Sequence, residues 1–138
     1  MTRCTGISPC SRRPVLPWLF VLALAITTPG CGRGVAAPRS DTEAATALID
    51  RSLRQWKEGR TVADLRGETP PIYVSDELWL NGAKLVDFAI DQDGELFGTN
   101  VRFHVTLSVT DPKGKESKRA VKYLVTTTPA MTIAREDR

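Results

Sequence analysis

Histidine is almost missing from this chain: among 138 residues there is one, His104. Cysteine is scarce as well, with Cys4, Cys10 and Cys31 all near the start. A structural zinc site needs about four nitrogen or sulfur ligands, so the rest of the chain holds none, and no residue pattern calls for a bound cofactor. A long apolar run is missing too. The longest, Val15 to Ile26, is about a dozen residues, whereas a spanning helix takes roughly 20. No acidic residue precedes Asp41. There is no internal repeat and no nucleophile elbow. The glycines around Cys31 make no phosphate loop, since no strand precedes them and no helix directly follows.

What is present at the start is a basic stretch with Arg3, Arg12 and Arg13, then the short apolar run, then small residues. Those are the parts of a secretory signal peptide, and residues 1–30 are assigned to one. A general signal peptidase site after Val35-Ala36-Ala37 would leave Pro38 behind the cut, and Pro38 lacks a backbone N–H. The segment Thr28-Pro29-Gly30-Cys31 offers another site. It resembles the lipobox of bacterial lipoproteins, in which a small residue precedes a cysteine that is diacylated and becomes the new N-terminus. Gly30 and Cys31 match that pattern, while Thr28 stands where leucine is usual. The resemblance implies lipidation at Cys31. Cleavage there discards Cys4 and Cys10, and acylation consumes the remaining thiol, so no odd cysteine is left over. It also implies an exported, membrane-associated protein of the cell envelope on the periplasmic side. Gly32 is not the aspartate that retains many family members at the inner membrane, which points to the outer one.

Removing residues 1–31 takes away three arginines and no acid. Lys plus Arg falls from 19 to 16, against 16 Asp plus Glu. The remaining chain is formally neutral and lacks the basic footprint of a nucleic-acid binder. Its one basic cluster is Lys113, Lys115, Lys118, Arg119 and Lys122, interrupted by Glu116, around a predicted hairpin tip. Lysines of this kind guard an exposed strand edge, and an anionic lipid is the other contact they fit.

Residues 31–40 read as the lipidated cysteine and a flexible tether, long enough to hold a domain roughly 15–20 Å from a membrane. Residues 41–138 read as one domain. Ser40 and Glu43 make a capping box. Ala45, Leu48, Ile49, Leu53 and Trp56 then share one helix face, and Gly59 ends the helix. A helical turn follows Thr61. Pro70 and Pro71 lead into an extended Ile72-Tyr73-Val74. Ser75 caps a short turn through Leu80, ended by Gly82. From there the period is two: Val86, Phe88 and Ile90 alternate with polar or small residues, and "DQDGELFG" reads as a link. Val101, Phe103, Val105, Leu107 and Val109 form one face of a strand. Asp111-Pro112-Lys113-Gly114 suits a type I turn with a bulge. It opposes Asp111 to Lys115, and so Val105 to Val121, Phe103 to Tyr123 and Val101 to Val125. A last short strand runs from Met131 to Ala134.

The expected fold is α+β, with one N-terminal amphipathic helix packed on a curved antiparallel sheet of about four strands. This element order is similar to the cystatin-like and NTF2-like cone folds over about residues 41–136. Those families include enzymes, ligand binders and interaction modules, so the fold does not choose among them. His104 is the one catalytic candidate, with Asp87 as a conceivable partner on the next strand. A strand histidine on the polar face, opposite Lys122, is the plainer reading. "DQDGE" (91–95) starts like a calcium loop, but Arg102 stands where the bidentate glutamate belongs, so it reads as a turn. Trp79 and Leu80, beside Asn81-Gly82, are the expected exposed apolar pair and the candidate partner contact.

The function expected from the sequence is a small lipid-anchored envelope protein with a non-catalytic binding module. Its partners would be the membrane, through the lipid, and an envelope protein. The alternatives are a pocket for a small apolar ligand, lined by the aromatics, and an enzyme using His104.

Overall fold

The computed structural model describes residues 38–136. The expected signal peptide, Cys31 and most of the tether lie outside the described residues.

Helix α1 spans Thr42–Lys57 and buries Ala45, Leu48, Ile49, Leu53 and Trp56 along one face, as the spacing predicts. Its cap is Asp41 rather than Ser40: the Asp41 side chain accepts from the Ala44 amide at 2.7 Å. Both residue types cap well, and a tertiary demand separates them. The Ser40 hydroxyl accepts from the Thr127 amide at 3.0 Å, and its own amide donates to Thr99 at 2.9 Å. Ser40 is therefore already built into the folded unit. At the other end Gly59 has φ 87. Its amide bonds Trp56 and that of Arg60 bonds Gln55, both at 2.9 Å, which is a Schellman ending.

Helix α2 (Val62–Arg66) starts from Thr61 with a capping box to Asp64. Strand β1 (Ile72–Ser75) follows, then helix α3 (Glu77–Leu80). Here too the cap is the aspartate after the expected serine: Asp76 accepts from Leu78, and Ser75 is the last residue of β1. The remaining strands are β2 (Lys84–Ile90), β3 (Glu95–Phe97), β4 (Asn100–Thr110), β5 (Glu116–Thr126) and β6 (Met131–Arg135).

The sheet is curled and mixed, ordered β1-β6-β5-β4-β2, with β3 beside the start of β4. The expectation of about four antiparallel strands needs two corrections. First, Ile72–Ser75 is a strand, and it pairs parallel to β6, Ile72 with Met131 through Ser75 with Ala134. Second, Glu95–Phe97 in the supposed link pairs with Arg102–Asn100 as β3. The β4–β5 hairpin agrees with the sequence in every pair: Val105 faces Val121, Phe103 faces Tyr123 and Val101 faces Val125.

Strand β4 alternates buried and half-buried residues along its whole length. Val101, Phe103, Val105, Leu107 and Val109 meet α1 together with Tyr123, Val125, Ile133, Ile72 and Leu85. Each such side chain contributes about 1.5–3 kcal/mol relative to exposure, which holds the helix to the sheet. In β2 the inward residue is Leu85 and not Val86, which is half exposed. A bulge between Leu85 and Asp87 shifts the register there, so the alternation inferred from Val86, Phe88 and Ile90 fails at its first member.

Gly94, where the chain passes from β2 to β3, lies flat against the core. A Cβ placed on it would sit 2.6 Å from the Phe103 ring and from Val101. Both neighbours are fully buried and cannot yield freely. Gly94→Ala is expected to cost about 1–3 kcal/mol through overpacking, read as a lower urea midpoint. An unchanged midpoint would mean that this segment is not held against Phe103.

Candidate functional site

The sheet face away from α1 carries the polar half of β4: Arg102, His104, Thr106 and Ser108. Arg102 is fully engaged. Its Nε and Nη2 donate to Glu136 at 3.0 and 2.8 Å, and Nη1 donates to Glu95 at 3.3 Å. The guanidinium lies over the Phe97 ring, 3.4 Å from its centroid. The hydrogen bond to Glu136 raises its proton affinity further. This cluster fastens β3, β4 and the end of β6 to one another.

His104 is half buried and stands opposite Lys122, in the expected register. The sequence-suggested partner is elsewhere. Asp87 lies opposite Ser108, and its carboxylate is paired with Lys57 at 2.9 Å. Asp91 is nearer along the chain path, since its amide donates to the His104 carbonyl at 2.8 Å. Its carboxylate instead accepts from the Thr106 hydroxyl, also at 2.8 Å. A histidine base is commonly oriented by a third group, and among the described residues no carboxylate hydrogen-bonds the imidazole.

An open cleft of about 630 Å³ runs beside His104. Arg119, Ala120, Val121 and Lys122, four consecutive residues of β5, all line it, together with Glu136. Successive strand residues point to opposite faces. A cavity touching all four therefore follows the edge of β5, beyond the point where β6 ends.

The buried polar cluster is a different site, one that sequence reasoning missed. Asp76 is fully buried. Its carboxylate caps α3, accepts a hydrogen bond from the Tyr123 hydroxyl, and pairs with Arg135 at 3.1 Å. Arg135 also approaches Glu77 at 3.5 Å. Burial, reinforced by the Asp76 charge, pushes the Tyr123 phenol far above its usual range, with Arg135 opposing. The phenol thus stays protonated and donates. The phenol and the Asp76 carboxylate are buried, whereas Arg135 also lines the cleft beside His104, and the cluster joins β1, α3, β5 and β6.

That shift has a consequence for pH. The neutral phenol is favoured in the folded state, so this contribution is complete below the unfolded pKa of about 10 and is lost as pH rises beyond it. Stability is expected to fall above about pH 10, and Tyr123→Phe should remove that slope. A parallel decline in the variant would place the alkaline sensitivity elsewhere.

The expected exposed pair divides. Leu80 is 58% exposed, but Trp79 is only 7% exposed. Trp79 stacks on Trp56 with ring centroids 4.8 Å apart and planes within 6°. Each indole N–H is satisfied: Trp56 donates to Ala83 and Trp79 to Arg60, both at 2.9 Å. Trp79 is accordingly a joint between α1 and α3, which leaves Leu80 as the exposed member. Among the described residues no group of three or more His, Cys, Asp or Glu side chains is placed to hold a metal ion, and no helix is long and apolar enough to cross a membrane. In comparisons with known proteins, no family model, curated protein or solved structure matches this chain.

Proposed function

We propose that the chain is a small lipid-anchored cell-envelope protein, attached through Cys31, whose α+β unit is a non-catalytic binding module. The leader and the Gly30-Cys31 step support the anchor. The observation that carries the module reading is the filling of the sheet's inner face. Trp56, Phe103 and Tyr123 pack there with the aliphatic core. The aromatics that a ligand pocket would use are thereby committed to packing. His104, for its part, faces outward opposite Lys122, and the nearby Asp91 carboxylate accepts from Thr106 instead. The cystatin-like and NTF2-like likeness of helix and curled sheet is compatible with an interaction role.

The test is cross-linking in intact cells, followed by detergent extraction of the full chain. A discrete adduct with an envelope protein is the expected result. Adducts no more abundant than those of an unrelated lipoprotein would remove the module reading.

A further inference from the structure

We propose that the open edge of β5, from Glu116 to Val121, receives an extended acidic segment of a partner protein as an added strand, lodged in the cleft where β6 stops. This rests on the module reading above and names its surface.

Strand β6 pairs with β5 only from Tyr123 to Thr126. The last link is the Glu136 amide donating to the Lys122 carbonyl at 2.9 Å. The Lys122 backbone groups thus face the β6 side. In an antiparallel strand that direction recurs every second residue, so the N–H and C=O groups of Ala120 and Lys118 point the same way. No described residue pairs with them from that side, and the cleft reaches Ala120 and Arg119, with Lys118 just beyond its end. An edge of this kind accepts a strand through main-chain hydrogen bonds, with side chains choosing the sequence.

Charge chooses the occupant. Lys113, Lys115, Lys118, Arg119 and Lys122 surround the edge, against Glu116 on the strand and Asp91 and Glu136 in the cleft wall. None of the five cations forms an ion pair with a described carboxylate, although Lys118 lies close enough to Asp87 to help lower its pKa. The Arg119 side chain has one weak contact, 3.4 Å to the Ser117 hydroxyl. By alternation Arg119 lies on one face of the strand while Lys118 and Lys122 lie on the other. A second copy paired antiparallel about Arg119 would oppose Arg119 to its own counterpart, which is destabilising, while Glu116 would meet Lys122. The cationic excess along the edge favours an occupant with acidic side chains on both faces over a second copy, which brings the same excess with it. A concentration-dependent dimer lost in both Ala120→Pro and the Arg119→Glu, Lys122→Glu double variant would make the second copy the occupant and overturn the proposal. An anionic bilayer would satisfy the charges but has no backbone to offer the edge.

The probe is a display library of random peptides of about nine residues, matched to a long strand, selected on the full chain in detergent. The expected winners are rich in Asp and Glu and poor in Pro. Their binding should weaken with added salt and should protect the Lys118 and Ala120 amides from hydrogen exchange. Ala120→Pro removes one edge donor at a position where an edge strand tolerates proline. The double variant Arg119→Glu with Lys122→Glu reverses the charge and keeps the backbone. Each should weaken binding by at least about tenfold, or ~1.4 kcal/mol.

Several results would overturn the proposal. One is the absence of acidic enrichment, or winners that bind both variants as well as the parent chain. Another is protection appearing at β2 or β3. Binding that emerges only after residues 137 and 138 are deleted would make the chain's own tail the occupant. Binding to phosphatidylglycerol vesicles that the double variant loses, without any peptide enrichment, would assign the cluster to lipid. A cell-derived envelope cross-link that persists in both variants would sink this surface while leaving the module reading intact.

Discussion

Asp76→Ala is expected to lower the stability of the folded unit by about 3–5 kcal/mol, the cost of breaking a buried ion pair by removing one partner. The carboxylate holds three things at once. It caps α3 through the Leu78 amide at 2.7 Å, accepts from Tyr123 and neutralises Arg135. Without it Arg135, whose side chain is 13% exposed, loses its fully buried acidic partner, and the Glu77 carboxylate that it approaches at 3.5 Å is 74% exposed. The Tyr123 hydroxyl also loses its acceptor. A change of this size is a large fraction of the 5–15 kcal/mol by which a whole domain is usually stable. Asp76→Asn, which keeps a capping oxygen and loses the charge, should fall between the parent and the alanine variant. Urea unfolding of the three proteins measures this. A loss under about 1 kcal/mol for Asp76→Ala would mean that Arg135 finds full compensation elsewhere.

Trp79→Ala should cost a similar amount, about 3–5 kcal/mol, as large aromatic truncations in cores do. The ring fills the space between α1 and α3 and stacks on Trp56 over its face. The variant also leaves the Arg60 carbonyl without the indole donor that reaches it at 2.9 Å. Leu80→Ala, one residue along, should change stability by less than about 0.5 kcal/mol, since Leu80 is exposed. The two neighbours therefore form a paired control. Equal effects would contradict the placement of Trp79 inside and Leu80 outside. Near-ultraviolet circular dichroism gives a second readout, because a stacked indole pair should produce a signal that either Trp56→Ala or Trp79→Ala abolishes.

The parts of this fold that were legible in the sequence are those where two local signals agree. The turn at Asp111–Gly114 and the alternation on both flanking strands impose the same register, and the hairpin has it in every pair. The α1 face was legible for the same reason, with spacing and a terminating glycine in accord. Caps were misplaced by one residue at Ser40-Asp41 and again at Ser75-Asp76. In both dipeptides either residue can cap, and a distant contact decides: Thr127 takes Ser40, and Tyr123 with Arg135 fixes Asp76.

What was not legible joins residues far apart in the chain. The parallel pairing of β1 with β6 leaves no mark on either short segment. The bulge at Val86 breaks a period that otherwise looks regular. The Asp76–Tyr123–Arg135 cluster has no spacing to betray it, because Tyr123 simply occupies an inward place in an alternating strand. The neighbours Asn81-Gly82 suggest an exposed Trp79, but those residues end α3 sharply, with Gly82 at φ 79 and the Ala83 amide bonded to Leu78. That ending presents Leu80 to solvent and turns Trp79 in.

The proposed anchor at Cys31 would determine where the module meets its partner, and the mass of the mature N-terminus tests it most directly. A chain beginning at Cys31 with a diacylglyceryl thioether and an amide-linked acyl group is the predicted product. Multiple acyl chains hold stably, whereas one gives marginal binding, so release from membranes should require detergent. Cys31→Ser should leave an uncleaved precursor. An unmodified N-terminus at Ala37 or Pro38, on a protein recovered without detergent, would contradict the account.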